Sequence, residues 1–198
     1  MKAIGFNTSL PISDPNSFIE FEIDKPLATG KNLLVKIQAI SVNPVDYKIR
    51  QNSAKNIVLE TPKIIGWDAV GIVEAVGEET ELFKVGDAVY YAGDLTKPGC
   101  NATHQLVDER IVGRKPKSIS NEAAAALPLT SLTAWEILFD RMRIQNEKDA
   151  GKTILIIGGA GGVGSIAIQL AKKIAGLKVI ATASRPESIA WCKDRGAD

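Results

Sequence analysis

The sequence predicts a two-domain protein, with a β-rich domain over residues 1–125 and the beginning of an α/β domain over residues 126–198. Residues 1 to about 120 consist of short alternating or apolar runs broken by Gly, Pro, Asn and Asp, which is typical of a small all-β unit. After residue 152, a buried-strand pattern, a glycine-rich turn and an amphipathic helix follow one another directly. This succession predicts a β-α-β unit with a right-handed crossover.

The first domain is expected to contain several strands and little helix. Gly77 and Gly86 mark turns between its later strands. Pro44 can occupy the first position of a helix, and the run Pro44–Arg50 therefore predicts one helical turn that carries several reactive side chains. The strands are expected at 18–23, 33–42, 67–76, 87–91 and 104–107.

A segment of residues with high helix propensity begins near the domain boundary. Residues 121–127 form a helix by propensity, Pro128 interrupts it, and 129–142 resume a helical pattern. Within that second stretch, Leu129, Leu132 and Trp135 recur at helical spacing, which favours ordinary core packing over a substrate pocket.

The glycine-rich turn is the strongest functional signal in the chain. Its glycines satisfy G-x-G-x-x-G, the strand 153–157 precedes it, and a helix over 163–174 and a second strand over 178–183 follow. Such a turn brings backbone N–H groups and a helix N-terminus to a pyrophosphate, so a dinucleotide site is favoured over a glycine turn that binds nothing. The residues predicted to line it are Gly159, Ala160, Gly161, Gly162, Val163 and Gly164.

The end of the second strand predicts which dinucleotide binds. NAD-binding turns place an Asp or Glu about 20 residues beyond the glycines, but residues 179–185 contain no carboxylate. Ser184 and Arg185 offer a hydroxyl and a guanidinium to a 2′-phosphate, which favours NADPH. Ser184 is also expected to cap the next helix in a capping box with Glu187.

Composition narrows the function classes. The 198 residues are 45% hydrophobic with a formal net charge of +1, so nothing indicates a nucleic-acid or membrane partner. Cys100 and Cys192 form no disulfide framework, and no signal peptide opens the chain, so a cytoplasmic protein with a small-molecule partner is expected. A doubly wound dinucleotide domain needs more than two parallel strands, which indicates a fragment of a longer protein.

Several motifs together resemble the medium-chain dehydrogenase/reductase superfamily across essentially the whole chain. Its quinone oxidoreductase branch and the zinc-type alcohol dehydrogenase-like proteins are the most similar. The resemblance implies a GroES-like catalytic domain, a Rossmann domain, and a homodimer that reduces a quinone or an α,β-unsaturated carbonyl (enone) with NADPH. The motifs that carry it are Asn43-Pro44-Val45-Asp46, Gly66 to Gly71, Lys84 to Val89, Leu129 to Trp135 and Gly159 to Gly164.

The sequence departs from zinc alcohol dehydrogenases at the metal ligands of the family. Asn43 stands in place of a cysteine, Trp67-Asp68 replaces a His-Glu pair, and Cys100 alone stands where four cysteines would hold a structural zinc. No metal site is therefore predicted. A lone His104 among strand residues is assigned no chemistry. A zinc-type alcohol dehydrogenase and a non-catalytic NADPH-binding or sensing protein remain as alternatives.

By family position, the turn after Asn43 borders the nicotinamide. Asn43 is expected to contact the cofactor, and Asp46, Tyr47 and Lys48 are the candidate catalytic residues, of which Tyr47 or Lys48 would bind the substrate oxygen or supply a proton. A Tyr-Lys pair on an exposed turn is also common as solvated surface.

A second set of expected contacts lies at the start of the α/β domain. The resemblance places Thr130 and Thr133 at the nicotinamide end, against the alternative that their hydroxyls bond back to their own helix.

Overall fold

A computed structural model describes residues 1–198 and divides the chain into two compact units, Met1–Pro128 and Leu129–Asp198. The division lies three residues after the boundary that the sequence predicts. No helix is both long enough and apolar enough to cross a bilayer.

The first unit is built from antiparallel strands in two sheets. A three-stranded sheet has the order β2-β1-β4 and a five-stranded sheet the order β7-β3-β5-β6-β8. Its strands are β1 (Lys2–Phe6), β2 (Ile19–Glu22), β3 (Asn32–Ser41), β4 (Lys63–Ile64), β5 (Asp68–Val76), β6 (Ala88–Ala92), β7 (His104–Asp108) and β8 (Gly113–Arg114). Its helices are α1 (Pro44–Ser53) and α2 (Asn121–Ala125), and Glu109–Ile111 forms a 3-10 turn.

The larger sheet is organised around the pairing of β3 with β5. Gly71 permits this pairing, because a Cβ there would lie 2.3 Å from the Lys36 carbonyl oxygen. Apolar side chains from both strands and from β6 form a buried core that includes Leu33, Val73 and Tyr91. This core fixes the position of Asp68, the first residue of β5, beside α1.

The second unit is a parallel β-α-β unit, as the sequence predicts. Its helices are α3 (Pro128–Trp135), α4 (Asn146–Asp149), α5 (Gly162–Lys173) and α6 (Pro186–Arg195), and its strands are β9 (Thr153–Ile156) and β10 (Lys178–Ala181). The strands pair in register from Thr153 with Lys178 to Ile156 with Ala181. The core of the unit includes Leu138, Ile168 and Val179, all at most 2% exposed.

The prediction that Leu132 and Trp135 pack in a core is wrong. Trp135 is 46% exposed and contacts Phe139 in a tilted arrangement with ring centroids 4.5 Å apart, and Leu132 is 53% exposed. The buried side chains of this segment are Ala134 and Leu138. Beyond Trp135 the backbone changes to π-helical hydrogen bonding over Glu136–Arg141, so the predicted helical spacing does not continue through the segment.

Candidate functional site

The glycine turn requires glycine for two different reasons. Gly158, one residue before the G-x-G-x-x-G motif, has φ +69°, a left-handed conformation that a residue with Cβ adopts only with strain. Gly159 and Gly164 are needed for space: a Cβ on Gly164 would lie 2.5 Å from the Gly158 carbonyl oxygen, and one on Gly159 would lie 2.8 Å from Ala181 Cβ. The turn therefore folds closely onto the start of α5 and onto β10.

Most N–H groups of the turn itself are already bonded. Those of Gly158 and Gly159 donate to Thr182, at 2.9 Å to Oγ1 and 3.0 Å to the carbonyl oxygen. The Gly161 N–H donates to the Gly158 carbonyl at 3.0 Å. Gly159 and Gly161 therefore supply space rather than donors.

The donors lie at the beginning of α5. Gly162, Val163 and Gly164 are its first residues, and no earlier helical turn offers them acceptors. Gly161 caps the helix and has no side chain to satisfy them, whereas the Ser165 N–H bonds to the Gly161 carbonyl at 2.8 Å. Consecutive free N–H groups at a helix N-terminus after a parallel strand fit the pyrophosphate of a dinucleotide. The residues present therefore fit the cofactor that the sequence predicts.

Thr182 is a residue of the candidate site that sequence reasoning missed. It directly follows β10, and its hydroxyl and carbonyl accept hydrogen bonds from two successive residues of the glycine turn. The bonded residues are 24 positions apart along the chain, so no local pattern shows the contact. A hydroxyl residue shortly after the second strand of a β-α-β unit is the only sequence signal for it.

Arg185, rather than Ser184, is the N-cap of α6, so the predicted capping box is wrong. Pro186 occupies the start of the helix, and the residue before a proline is held in extended conformation, here with φ −115° and ψ 148°. That places the cap one residue later than expected, and no side chain caps the helix. Ser184 is exposed and makes no hydrogen bond, while the Arg185 Nε lies 2.9 Å from the Glu187 Oε1.

The two threonines of α3 differ. Thr133 Oγ1 donates to the Leu129 carbonyl at 2.8 Å, so its hydroxyl is bonded to its own helix in this structure. Thr130 lies beside the glycine turn, since its Cγ2 would be 3.0 Å from a Cβ on Gly162. Of the pair, Thr130 is the one that the structure brings to the helix start.

In the first unit, α1 carries the other predicted residues, and its buried side chains hold the helix in place. The Asn43 N–H donates to Asp46 Oδ2 at 2.6 Å, and Asn43 Nδ2 donates to Asp68 Oδ2 at 2.8 Å. All three residues are at most 7% exposed. Burial raises the pKa of Asp46 above its usual range, against the opposing effect of the Asn43 and Gly66 backbone N–H groups.

Tyr47 and Lys48 lie on the exposed side of the same helix. Tyr47 is 51% exposed, and neither side chain makes a hydrogen bond or an ion pair. A phenol and an ammonium that are free of partners can donate to an incoming ligand oxygen. Tyr47 and Lys48 are therefore the side chains of α1 that are accessible to a ligand, whereas the buried Asp46 and Asn43 side chains hold the start of the helix.

The residues at the expected zinc positions do not fit a zinc ion. The Asn43 amide is bonded to Asp68, and the Trp67 indole N–H donates to the Asp94 carbonyl at 3.1 Å and offers no lone pair. Burial, with Asp46 and Asp68 nearby, raises the pKa of the Cys100 thiol to about 12, which opposes the thiolate form that a metal needs. His104 contacts Glu74 at 2.9 Å and Thr103 at 3.1 Å instead.

Comparisons with known proteins agree with this architecture. Residues 29–117 match the model of the alcohol dehydrogenase GroES-like domain. A zinc-type alcohol dehydrogenase-like protein from Staphylococcus epidermidis is 48% identical over 200 residues, covering all of this chain and 58% of the relative. The crystal structure of a putative zinc-dependent alcohol dehydrogenase from Rhizobium etli is 52% identical with a TM-score of 0.90, covering 100% of this chain and 57% of that one.

Along its whole length, the chain is similar to members of the medium-chain dehydrogenase/reductase superfamily. A further relative, the chloroplastic NADPH-dependent alkenal/one oxidoreductase of Arabidopsis thaliana, is 37% identical over 186 residues, covering 91% of this chain and 47% of the relative. The chain thus spans about half to three fifths of the length of these relatives.

Proposed function

We propose that the full-length protein is a zinc-independent, NADPH-dependent reductase of quinones or α,β-unsaturated carbonyl compounds. The observation that carries the proposal is the uncapped start of α5, where Gly162, Val163 and Gly164 present free N–H groups directly after a parallel strand and its glycine turn. The name of the plant relative, which includes both NADPH and an alkenal/one substrate, supports the same cofactor and substrate class.

The cofactor would be held by backbone at one end and by side chains at the other. Gly162 and Val163 N–H groups bind the pyrophosphate, with Gly159, Ala160, Gly161 and Gly164 leaving room for it. Arg185 and Ser184 bind the 2′-phosphate, because both side chains are exposed after β10 and the Ser184 hydroxyl is not used as a cap. NADPH, when bound, supplies the hydride.

The protein's own chemistry would come from α1. Hydride addition to the β-carbon of an enone, or to a quinone, places negative charge on the carbonyl oxygen. Tyr47 or Lys48 donates a hydrogen bond or a proton to that oxygen, in the role that a zinc Lewis acid has in other members of the superfamily. Asn43 and Asp46 keep α1 in place beneath them.

Turnover with purified full-length protein tests the proposal. Loss of nicotinamide absorbance should occur with NADPH and a quinone or an unsaturated aldehyde, and should survive prolonged chelation, since the donor set does not fit zinc. Cofactor binding without turnover on a broad panel of both substrate classes would favour the non-catalytic binding protein instead. One zinc per chain, lost together with activity on chelation, would place the protein among the zinc enzymes.

We also propose that the full-length protein is a homodimer, as the resemblance implies. Sedimentation equilibrium of the full-length protein measures this directly, and a single monomeric species would contradict it.

A further inference from the structure

The guanidinium of Arg185 is paired with a carboxylate. Its Nε lies 2.9 Å from Glu187 Oε1, and the two side chains are 73% and 70% exposed. Arg185 is the only cation in the segment 182–187 that connects β10 to the first turn of α6, and Glu187 is its only carboxylate. The cation that this segment offers to a 2′-phosphate therefore already has a counter-ion.

The backbone keeps these two side chains together. Arg185 is the N-cap of α6, Pro186 fixes the next φ, and Glu187 stands in the first helical turn. A carboxylate in a first turn is also favoured by the helix dipole. Glu187 is thus held close to Arg185, and any phosphate that reaches Arg185 meets a negative charge beside it.

The position of Glu187 in the sequence gives this residue a second effect on cofactor binding. Glu187 lies 23 residues after Gly164, close to the distance at which NAD-binding folds place the carboxylate that accepts hydrogen bonds from the ribose 2′-OH. A 2′-hydroxyl can donate to Glu187, whereas a 2′-phosphate is repelled by it. The same side chain therefore acts in opposite directions on the two nicotinamide cofactors.

We propose that Glu187 is a specificity-determining residue: by holding Arg185 in an ion pair, it weakens binding of the 2′-phosphate and limits the preference for NADPH over NADH. The inference rests on the proposed NADPH function and names a residue that adjusts its cofactor choice. A protein with Glu187 uses both cofactors to a measurable extent, and its selectivity increases when this carboxylate is neutralised.

The test compares two ligands that differ in the 2′-phosphate, 2′,5′-ADP and 5′-AMP, by titration calorimetry on full-length protein. Glu187→Gln should tighten 2′,5′-ADP binding about three- to tenfold at low salt, while 5′-AMP affinity stays within about twofold or falls. The gain should shrink strongly in 1 M salt, where the Debye length is about 3 Å. The gain should be clearly smaller in an Arg185→Ala background, because no guanidinium is then released and only the direct repulsion by Glu187 is removed.

Asp194→Asn is the matched control, since it makes the same charge change in the last turn of the same helix. The role of Glu187 is refuted if Glu187→Gln behaves like Asp194→Asn, tightens both ligands equally, or gives as large a gain without Arg185. A wild type that binds neither ligand nor NADPH would refute the proposed cofactor site and the Glu187 inference together. A wild type that binds 2′,5′-ADP and reduces its substrates, with no change in Glu187→Gln, refutes only the inference.

Discussion

The start of α1 in the first unit and the glycine turn in the second each hold a backbone segment in place and leave hydrogen-bond donors without partners. They do so in opposite ways. In α1 the buried side chains of Asn43 and Asp46 fix the backbone, and the exposed side chains of Tyr47 and Lys48 are left to act. At the glycine turn the side chains are absent, Thr182 binds the backbone from outside, and the free N–H groups of α5 are left to act. The first site should therefore respond to loss of side chains, and the second to their gain.

The largest expected effect is on the α1 side chains. The double variant Tyr47→Phe/Lys48→Ala should lower kcat about 100-fold if these groups protonate the substrate oxygen, because general acids typically contribute that much or more. The Kd of NADPH should change little, since neither residue is expected to bind the phosphates. Steady-state kinetics and a cofactor titration measure the two effects separately, and unchanged kcat would show that both side chains are only solvated surface.

The next largest effect is a loss of stability when a side chain is added at the glycine turn. Gly164→Ala places a Cβ 2.5 Å from the Gly158 carbonyl oxygen, and the resulting backbone shift should lower the free energy of unfolding by about 1–3 kcal/mol. Gly161→Ala is the control, because its Cβ would be 3.4 Å from the same oxygen and its φ is −73°. Urea unfolding measured on both variants should therefore separate them, and equal stability would mean that the turn is not tightly folded onto α5.

A smaller effect is expected at Thr182, where a side chain holds the glycine turn. Thr182→Val removes the acceptor of the Gly158 N–H while keeping a β-branched shape, so NADPH and NADH should both bind about three- to tenfold more weakly. Thr182→Ser should restore affinity for both cofactors. A loss confined to NADPH would instead mean that Thr182 contacts the 2′-phosphate.

The smallest effect is a pH dependence of stability at Asp108, a residue that belongs to neither site. Bonds from the Arg110 side chain and N–H hold the pKa of Asp108 at about 2, below its ordinary 3.8. A lowered carboxyl pKa contributes stability above pH 3.8 that is lost as the pH falls through 2. Asp108→Asn should thus cost at most about 1 kcal/mol near neutral pH, because solvent screens this exposed pair.

The measurement for Asp108 is the difference in unfolding free energy between wild type and Asp108→Asn across this pH range. The difference should disappear at the acidic end. A difference that stays constant with pH would assign the effect to the backbone cap rather than to the charge.

Both units were predictable where a segment carries its own sequence pattern. The strand 153–157, the helix after the glycines and the strand from Lys178 form within about two residues of their predicted ends, and the five strands predicted in the first unit each form within one residue of theirs. The short strands β1, β4 and β8 were not predicted. The pairing of β1 with β4 joins Gly5 to Ile64, so neither of these segments shows its partner locally.

The candidate site divides in the same way. The sequence alone indicated the glycines and Arg185, because residue type and spacing along one segment carry that information, whereas the Tyr47-Lys48 pair was implied by the family resemblance. Only the tertiary structure showed Thr182 on the Gly158 N–H, Asn43 between two carboxylates, and Glu187 on Arg185. It also moved the α6 cap from Ser184 to Arg185, where a pre-proline residue is restricted. Local spacing determines which backbone elements form, whereas hydrogen-bond partners are decided by which chain segments the fold brings within about 3 Å.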